Sequence, residues 1–166
     1  MLNKILIIGA SGSGTTTIGK KLADKLNIPH IETDDLFWIP ADPPYTQFRN
    51  QDELDMIIRT KVTSKDGWVL SGSPCGWGDA IINLVDLVVF LTVPTEIRIN
   101  RIVKREQTRF GNEVLEGGRL FESHQAFLAW TKCYDSGDIT GRTKAMHENW
   151  LLNLHCPVLV VTHFEF

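Results

Sequence analysis

The stretch IIGASGSGTTTIGKKL, Ile7 to Leu22, limits the possible folds of this chain more than any other. An apolar run enters a loop whose glycines, Gly9 and Gly14, match the pattern G-x-x-x-x-G-K-[ST], and an amphipathic pattern leaves it. Strand, glycine loop and helix in that order separate a phosphate-binding loop from a plain turn. Thr16 holds the hydroxyl position of the pattern, but Thr15 stands where the lysine belongs.

The rest of the chain repeats the alternation of short apolar runs with longer helical patterns, which predicts a parallel sheet buried on both faces. Strands are expected at Lys4 to Ile8, Pro29 to Glu32, Trp68 to Ser71, Leu87 to Val93 and Pro157 to Thr162. Helices are expected at 15–26, 50–62, 94–110, 121–134 and 143–154. In the first of these, Ile18, Leu22 and Leu26 recur every four residues and mark its inner side. The second starts near Asn50 or Asp52, and Thr95 is the expected N-cap of the third, with Glu96 in its first turn. At 166 residues, with no internal repeat, low-complexity tract or linker, the chain is expected to form one domain spanning 1–166. No covering helix is expected beyond the fifth strand.

A composition of 43% hydrophobic and 22% charged residues with a net charge of -3 argues against a general nucleic-acid or anionic-membrane binder. Cys75, Cys133 and Cys156 are odd in number and lack metal-ligand spacing, which fits reduced thiols in the cytoplasm. The apolar start is too short for a signal or a membrane span.

Within the loop, backbone N–H groups from Gly12 to Thr16 are expected to cradle phosphate. Gly9, Ser11, Ser13, Gly14, Thr15 and Thr17 surround it, and Thr16 would hold magnesium. Replacing the lysine leaves a need for positive charge, because charge stabilisation is the main protein contribution to phosphoryl transfer. Lys20 lies one turn on, and its ammonium would reach back over roughly one helical pitch of 5.4 Å. Arg98, Arg101, Arg105 and Arg109 form a second source, a stripe on a helix that turns Ile97, Ile99, Ile102 and Val103 to the core. A solvated charged face explains the lysine and the stripe equally well.

Ligands of open parallel sheets gather beyond the carboxyl ends of the strands. After strand two come Glu32, Asp34 and Asp35 with Phe37, Trp38 and Tyr45: carboxylates to help hold magnesium or accept a hydroxyl proton, and rings to wall a pocket. After strand three, Gly72, Gly76 and Gly78 permit close approach, and Trp77 or Asp79 would meet an acceptor. A turn acid with core aromatics, and a simple glycine turn, are the competing structural explanations.

Taken in order, GASGSGTTT, ETDD, SGS and PTEIRINR resemble the nucleoside monophosphate kinase and shikimate kinase branch of P-loop kinases. HIETDDLFW followed by a proline is also similar to bacterial adenylate-kinase-related proteins. The resemblance implies a three-layer α/β P-loop fold with a five-stranded parallel sheet of order 2-3-1-4-5 and helices on both faces. It also implies ATP with Mg²⁺ and a lid-like region at about 105–142. Glu32 and Asp34 would serve magnesium and the substrate hydroxyl, Asp35, Trp38, Gly72 and Trp77 the substrate. Arg101, Arg105 and Arg109 would meet transition-state charge. Ser71 departs from the aspartate of adenylate kinases, and no arginine follows it. The expectation is a small-molecule kinase acting on a nucleoside monophosphate or a hydroxyl compound. A nucleotide-binding sensor or scaffold without turnover, and an NTP hydrolase without acceptor, are the alternatives.

Overall fold

The computed structural model describes residues 2–162. Its strands are β1 (Lys4–Gly9), β2 (His30–Glu32), β3 (Trp68–Ser71), β4 (Leu87–Leu91) and β5 (Val158–Val161), and its helices α1 (Thr15–Leu26), α2 (Thr33–Phe37), α3 (Gln51–Ile58), α4 (Thr95–Phe110), α5 (Phe121–Lys132) and α6 (Lys144–Leu151). The strands form one parallel sheet of order β2-β3-β1-β4-β5. This is the expected order.

Alternation along β1 builds the two cores. Ile5 and Ile7 face α1, where they pack with Ala23, Val69 and Leu91. Leu6 and Ile8 face the other way, into a cluster that takes in Leu36, Ile58, Val62, Trp68, Phe90 and Trp150. Helices therefore cover both faces at the centre of the sheet. At its edge the expected burial fails: Val158, Leu159 and Val160 are 38%, 55% and 56% exposed, and none of the buried clusters among the described residues takes them in.

Local chemistry explains where elements start. Asn50 and Glu53 form a reciprocal capping box for α3, which then continues as a wider turn over Arg59–Thr63. The expected N-cap of α4 does not form, because Pro94 takes that position. The Thr95 hydroxyl instead donates to Asp135 Oδ2 at 2.5 Å and accepts from Arg98. The short α2 lies where only a loop was expected, since five residues are too few to show a helical period. None of the described helices is long and apolar enough to cross a membrane.

Candidate functional site

Gly9 ends β1 and Thr15 begins α1, so the loop residues between them sit at the carboxyl edge of the sheet. Gly12 and Gly14 adopt φ values of +80° and +97°, which L side chains rarely allow. A Cβ on Gly12 would also lie 2.5 Å from the Arg98 carbonyl oxygen, so the backbone of α4 presses directly on the loop. No side chain caps α1 at Gly14, and the first-turn N–H groups stay available to an anion. Ser13 is fully buried: its amide donates to Ala10 O, its carbonyl accepts from Arg101 Nη1 at 3.3 Å, and its hydroxyl has no protein partner. Ser11 and Thr15 are half-buried, whereas Thr17 points to solvent.

Beside the loop, Thr16 Oγ1 donates to Glu32 Oε2 at 3.2 Å, and Lys20 Nζ pairs with Glu32 Oε1 at 3.0 Å. Lys20 thus reaches across to β2 and sits at the carboxylate. A hydroxyl and a carboxylate at one point are the hard oxygen donors that magnesium takes. No group of three metal-ligating side chains occurs among the described residues, so such an ion would complete its shell with phosphate oxygens and water.

The arginine stripe divides. Arg98 is fully buried, not cleft-facing: its guanidinium donates to Val93 O and Thr95 Oγ1, pairs with Asp135, and lies 5.1 Å from the Tyr134 ring centre. Correspondingly Ile97 and Val103 are 42% and 38% exposed, so the inward face of α4 is rotated from the one expected. Arg101, Arg105 and Arg109 remain on the open side, lining a groove with Lys104 and Thr108. Arg105 pairs with Glu106 at 2.8 Å, and Arg109 donates to the Tyr45 hydroxyl at 2.8 Å.

Across the cleft, α2 carries Asp34 and Asp35 in its first turn. Asp34 opens to solvent at the cleft but has protein packed around it, and this desolvation pushes its carboxyl above the usual carboxylate range. Arg142, and more weakly Arg105, pull it back down, while Glu32 and Asp35 push it up. Behind α2 stands an aromatic cluster in which Phe37 lies 4.9 Å from Trp38, 5.6 Å from Phe48 and 5.5 Å from Trp77. Gly72, at φ +112°, closes this side, since a Cβ there would strike the Thr33 hydroxyl.

The sequence offered no sign of what lies underneath. Ser73 and Tyr134 bind the two ring nitrogens of His147, each at 2.9 Å, and burial lowers the pKa of His147 to about 3. Arg142 also went unnoticed, although its charge reaches Asp34, Cys75 and His147. Its only local signal is the glycine before it, Gly141, at φ +99°.

Residues 5–117 match a protein family described as an AAA domain. The chain is 41% identical over 161 residues to uncharacterized protein YqaC of Bacillus subtilis, covering 97% of this chain and 89% of that protein. It is 31% identical over 117 residues to a cytidylate kinase of Haloarcula marismortui, a match that spans 64% of this chain and 60% of the archaeal enzyme. Among solved structures, a shikimate kinase from Bacteroides thetaiotaomicron superposes with a TM-score of 0.53 at 19% identity, over 94% of this chain and 85% of that one. That likeness is one of fold.

Proposed function

The chain belongs to the AAA-domain family of P-loop kinase-like proteins, and from that premise we propose that it is an ATP-dependent small-molecule kinase. It would transfer the γ-phosphate to a nucleoside monophosphate or a small hydroxyl acceptor. One observation carries this: a positive-φ glycine loop runs from β1 into an uncapped α1 and meets the Thr16–Glu32 pair at 3.2 Å, with Asp34 across the cleft. The kinase names of relatives point the same way.

In this mechanism the backbone N–H groups of Gly12, Gly14, Thr15 and Thr16 would hold the β-phosphate, the expected set less Ser13, whose amide donates to Ala10 O. Thr16 and Glu32 would hold magnesium, which would supply neutralising charge to the phosphates. Asp34 orients a hydroxyl acceptor and takes its proton as the oxygen bonds to the γ-phosphorus. The bond from that phosphorus to the bridging oxygen breaks, and ADP leaves with the electron pair. Arg101 and Arg105 meet the charge spread over the transferring group, the task that Thr15 cannot do.

Thr15 itself favours a second reading, a nucleotide-binding protein with weak turnover. ADP release from ATP-Mg²⁺, measured with and without a panel of acceptors and with Asp34→Ala as control, separates the two. Stimulation by an acceptor that vanishes in the control supports the kinase; ATP binding with no stimulated turnover supports the sensor. Thr15→Lys should raise turnover in a crippled kinase and lower it in a site rebuilt around threonine.

A further inference from the structure

The phosphate loop needs a cation that its own side chains do not supply. Thr15 stands where the pattern has the lysine that reaches the β- and γ-phosphates, and Ala10, Ser11, Ser13 and Thr17 around it carry no charge. The arginines of α4 come to the loop from the side of β4, the strand that α4 follows, with Arg101 Nη1 at 3.3 Å from Ser13 O. In the sheet, β2 lies on the opposite side of β1, and there the structure brings up a different cation.

That cation is Lys20. It follows Thr16 by four residues on α1, so both side chains leave one face of the helix and lean toward its N-terminus, where the loop ends. Gly19 lets α1 come close to the start of β2, since a Cβ there would lie 2.6 Å from His30 Nε2. From this position Lys20 reaches the end of the strand. Its Nζ lies 3.0 Å from Glu32 Oε1, while Thr16 Oγ1 donates to Oε2 of the same carboxylate at 3.2 Å. A single carboxylate therefore separates the ammonium from the loop hydroxyl.

Two properties of this pair suit it to a phosphate. Glu32 is the one ion-pair partner of Lys20 among the described residues, and an ammonium has three donors, so donors remain for phosphate oxygens. The Lys20 side chain is 61% exposed on a flexible stem, so it can follow a ligand. The pairing also offsets the repulsion that an unpaired carboxylate beside the loop would exert on a phosphate.

Resting on the nucleotide-donor half of the kinase reading, we propose that Lys20 performs the task of the missing loop lysine: anchored by Glu32, its ammonium donates to the β- and γ-phosphates of the bound nucleotide. The charge comes from one turn into α1, on the β2 side, and joins that of the α4 arginines. The anchor uses Oε1 of Glu32 and leaves Oε2 on the side of Thr16.

The test is calorimetric titration of the full chain with ATP in the presence of Mg²⁺. Lys20→Met should weaken ATP about tenfold or more, the scale of a hydrogen bond to a charged group, while thermal unfolding shifts little because the ion pair is exposed. Adding Thr15→Lys to Lys20→Met should return the affinity to within about threefold of the parent, because it restores an ammonium to the loop. In a Glu32→Gln background, Lys20→Met should still weaken ATP about fivefold or more, since the lysine acts on the nucleotide and not only on its anchor. ATP affinity within about threefold of the parent in Lys20→Met, a loss that Thr15→Lys does not recover, or a loss that vanishes in the Glu32→Gln background overturns the proposal. Acceptor-stimulated ADP release tests the kinase reading separately. If no acceptor stimulates turnover but Lys20→Met loses ATP as described, this inference stands and the kinase reading falls; stimulated turnover with unchanged ATP affinity in Lys20→Met does the reverse.

Discussion

Around the loop, the cleft is bordered by backbone and arginine: the first turn of α1, with no side-chain cap at Gly14, and the guanidinium of Arg101 on Ser13 O. Across the cleft it is carboxylate and ring, with Asp34 and Asp35 before Phe37, Trp38, Phe48 and Trp77. The difference follows from what each side would hold. A polyphosphate needs many fixed donors, which glycines supply without side chains; an acceptor must be oriented and relieved of a proton, which takes a shaped wall and a base. Two exposed bridges span the sides, Arg109 to the Tyr45 hydroxyl at 2.8 Å and Arg119 to Asp42 at 2.9 Å.

The largest expected effect breaks the loop side. Gly12→Ala adds a Cβ 2.5 Å from Arg98 O at a φ of +80°, so ATP affinity should fall more than about 100-fold with about 2–4 kcal/mol of stability lost. Calorimetric titration with ATP decides it, and affinity within threefold of the parent would remove the loop from the binding account.

Asp34→Asn breaks the acceptor side alone. Turnover should fall about 10²- to 10⁴-fold while ATP binding persists. Its thermal stability should rise: the fold raises the pKa of Asp34, so the ionised form present near pH 7 is the disfavoured one, and asparagine removes that charge. The acid limb of the parent pH–rate profile should lie above the ordinary carboxylate range. Arg142→Ala should move that limb higher still, because Arg142 now pulls it down. A limb that stays put in the variant would dissociate Arg142 from Asp34.

Two arginines on one helix sharpen the contrast between charge for the fold and charge for the reaction. Arg98→Ala should cost about 3 kcal/mol of stability by opening a buried hydrogen-bonded network, and denaturant unfolding will show it. Arg105→Ala, at an exposed position, should leave unfolding within about 0.5 kcal/mol yet cut kcat about 100-fold. Equal effects of the two on unfolding would mean that the stripe is not divided.

Beneath both sides, His147→Phe leaves Ser73 and Tyr134 without their shared partner and should cost about 1–3 kcal/mol. With its folded pKa lowered to about 3 from 6.5, the neutral ring stabilises the fold fully above pH 6.5, and that contribution is lost as pH falls toward 3. Unfolding followed from pH 7 to pH 4 should therefore be less steep in the variant than in the parent. The smallest effect belongs to the bridge: Tyr45→Phe removes one exposed hydrogen bond and should change stability by less than about 1 kcal/mol. A large change in acceptor KM in that variant would make the bridge part of the acceptor pocket.

Much of the frame was legible because it is written in short-range patterns. The glycine loop, α1 at 15–26 and β3 at 68–71 follow from local spacing, and strand order followed from the resemblance of ordered motifs. Positions along the chain were legible too: Glu32 ends β2 and Asp34 follows it at the edge where parallel sheets gather ligands, and Thr16 lies in the first turn of α1. What failed was direction. Arg98 and Arg101 are three residues apart with the same charge, yet one is buried and the other borders the cleft. Lys20 pairs with Glu32, the carboxylate that Thr16 of the loop also meets, a partner its spacing did not name.

By itself, the sequence determined the loop and the alternation that makes a two-sided parallel sheet. These depend on residue type and spacing, which a chain has before it folds. Only the tertiary structure decided which arginine is structural, that the charge of Arg142 acts on Asp34, and that Ser73, Tyr134 and His147 meet although up to 74 residues separate them. Such contacts depend on how helices rotate and pack against the sheet. Helix rotation is set by the sum of many side-chain contacts, and no single spacing in the chain encodes it.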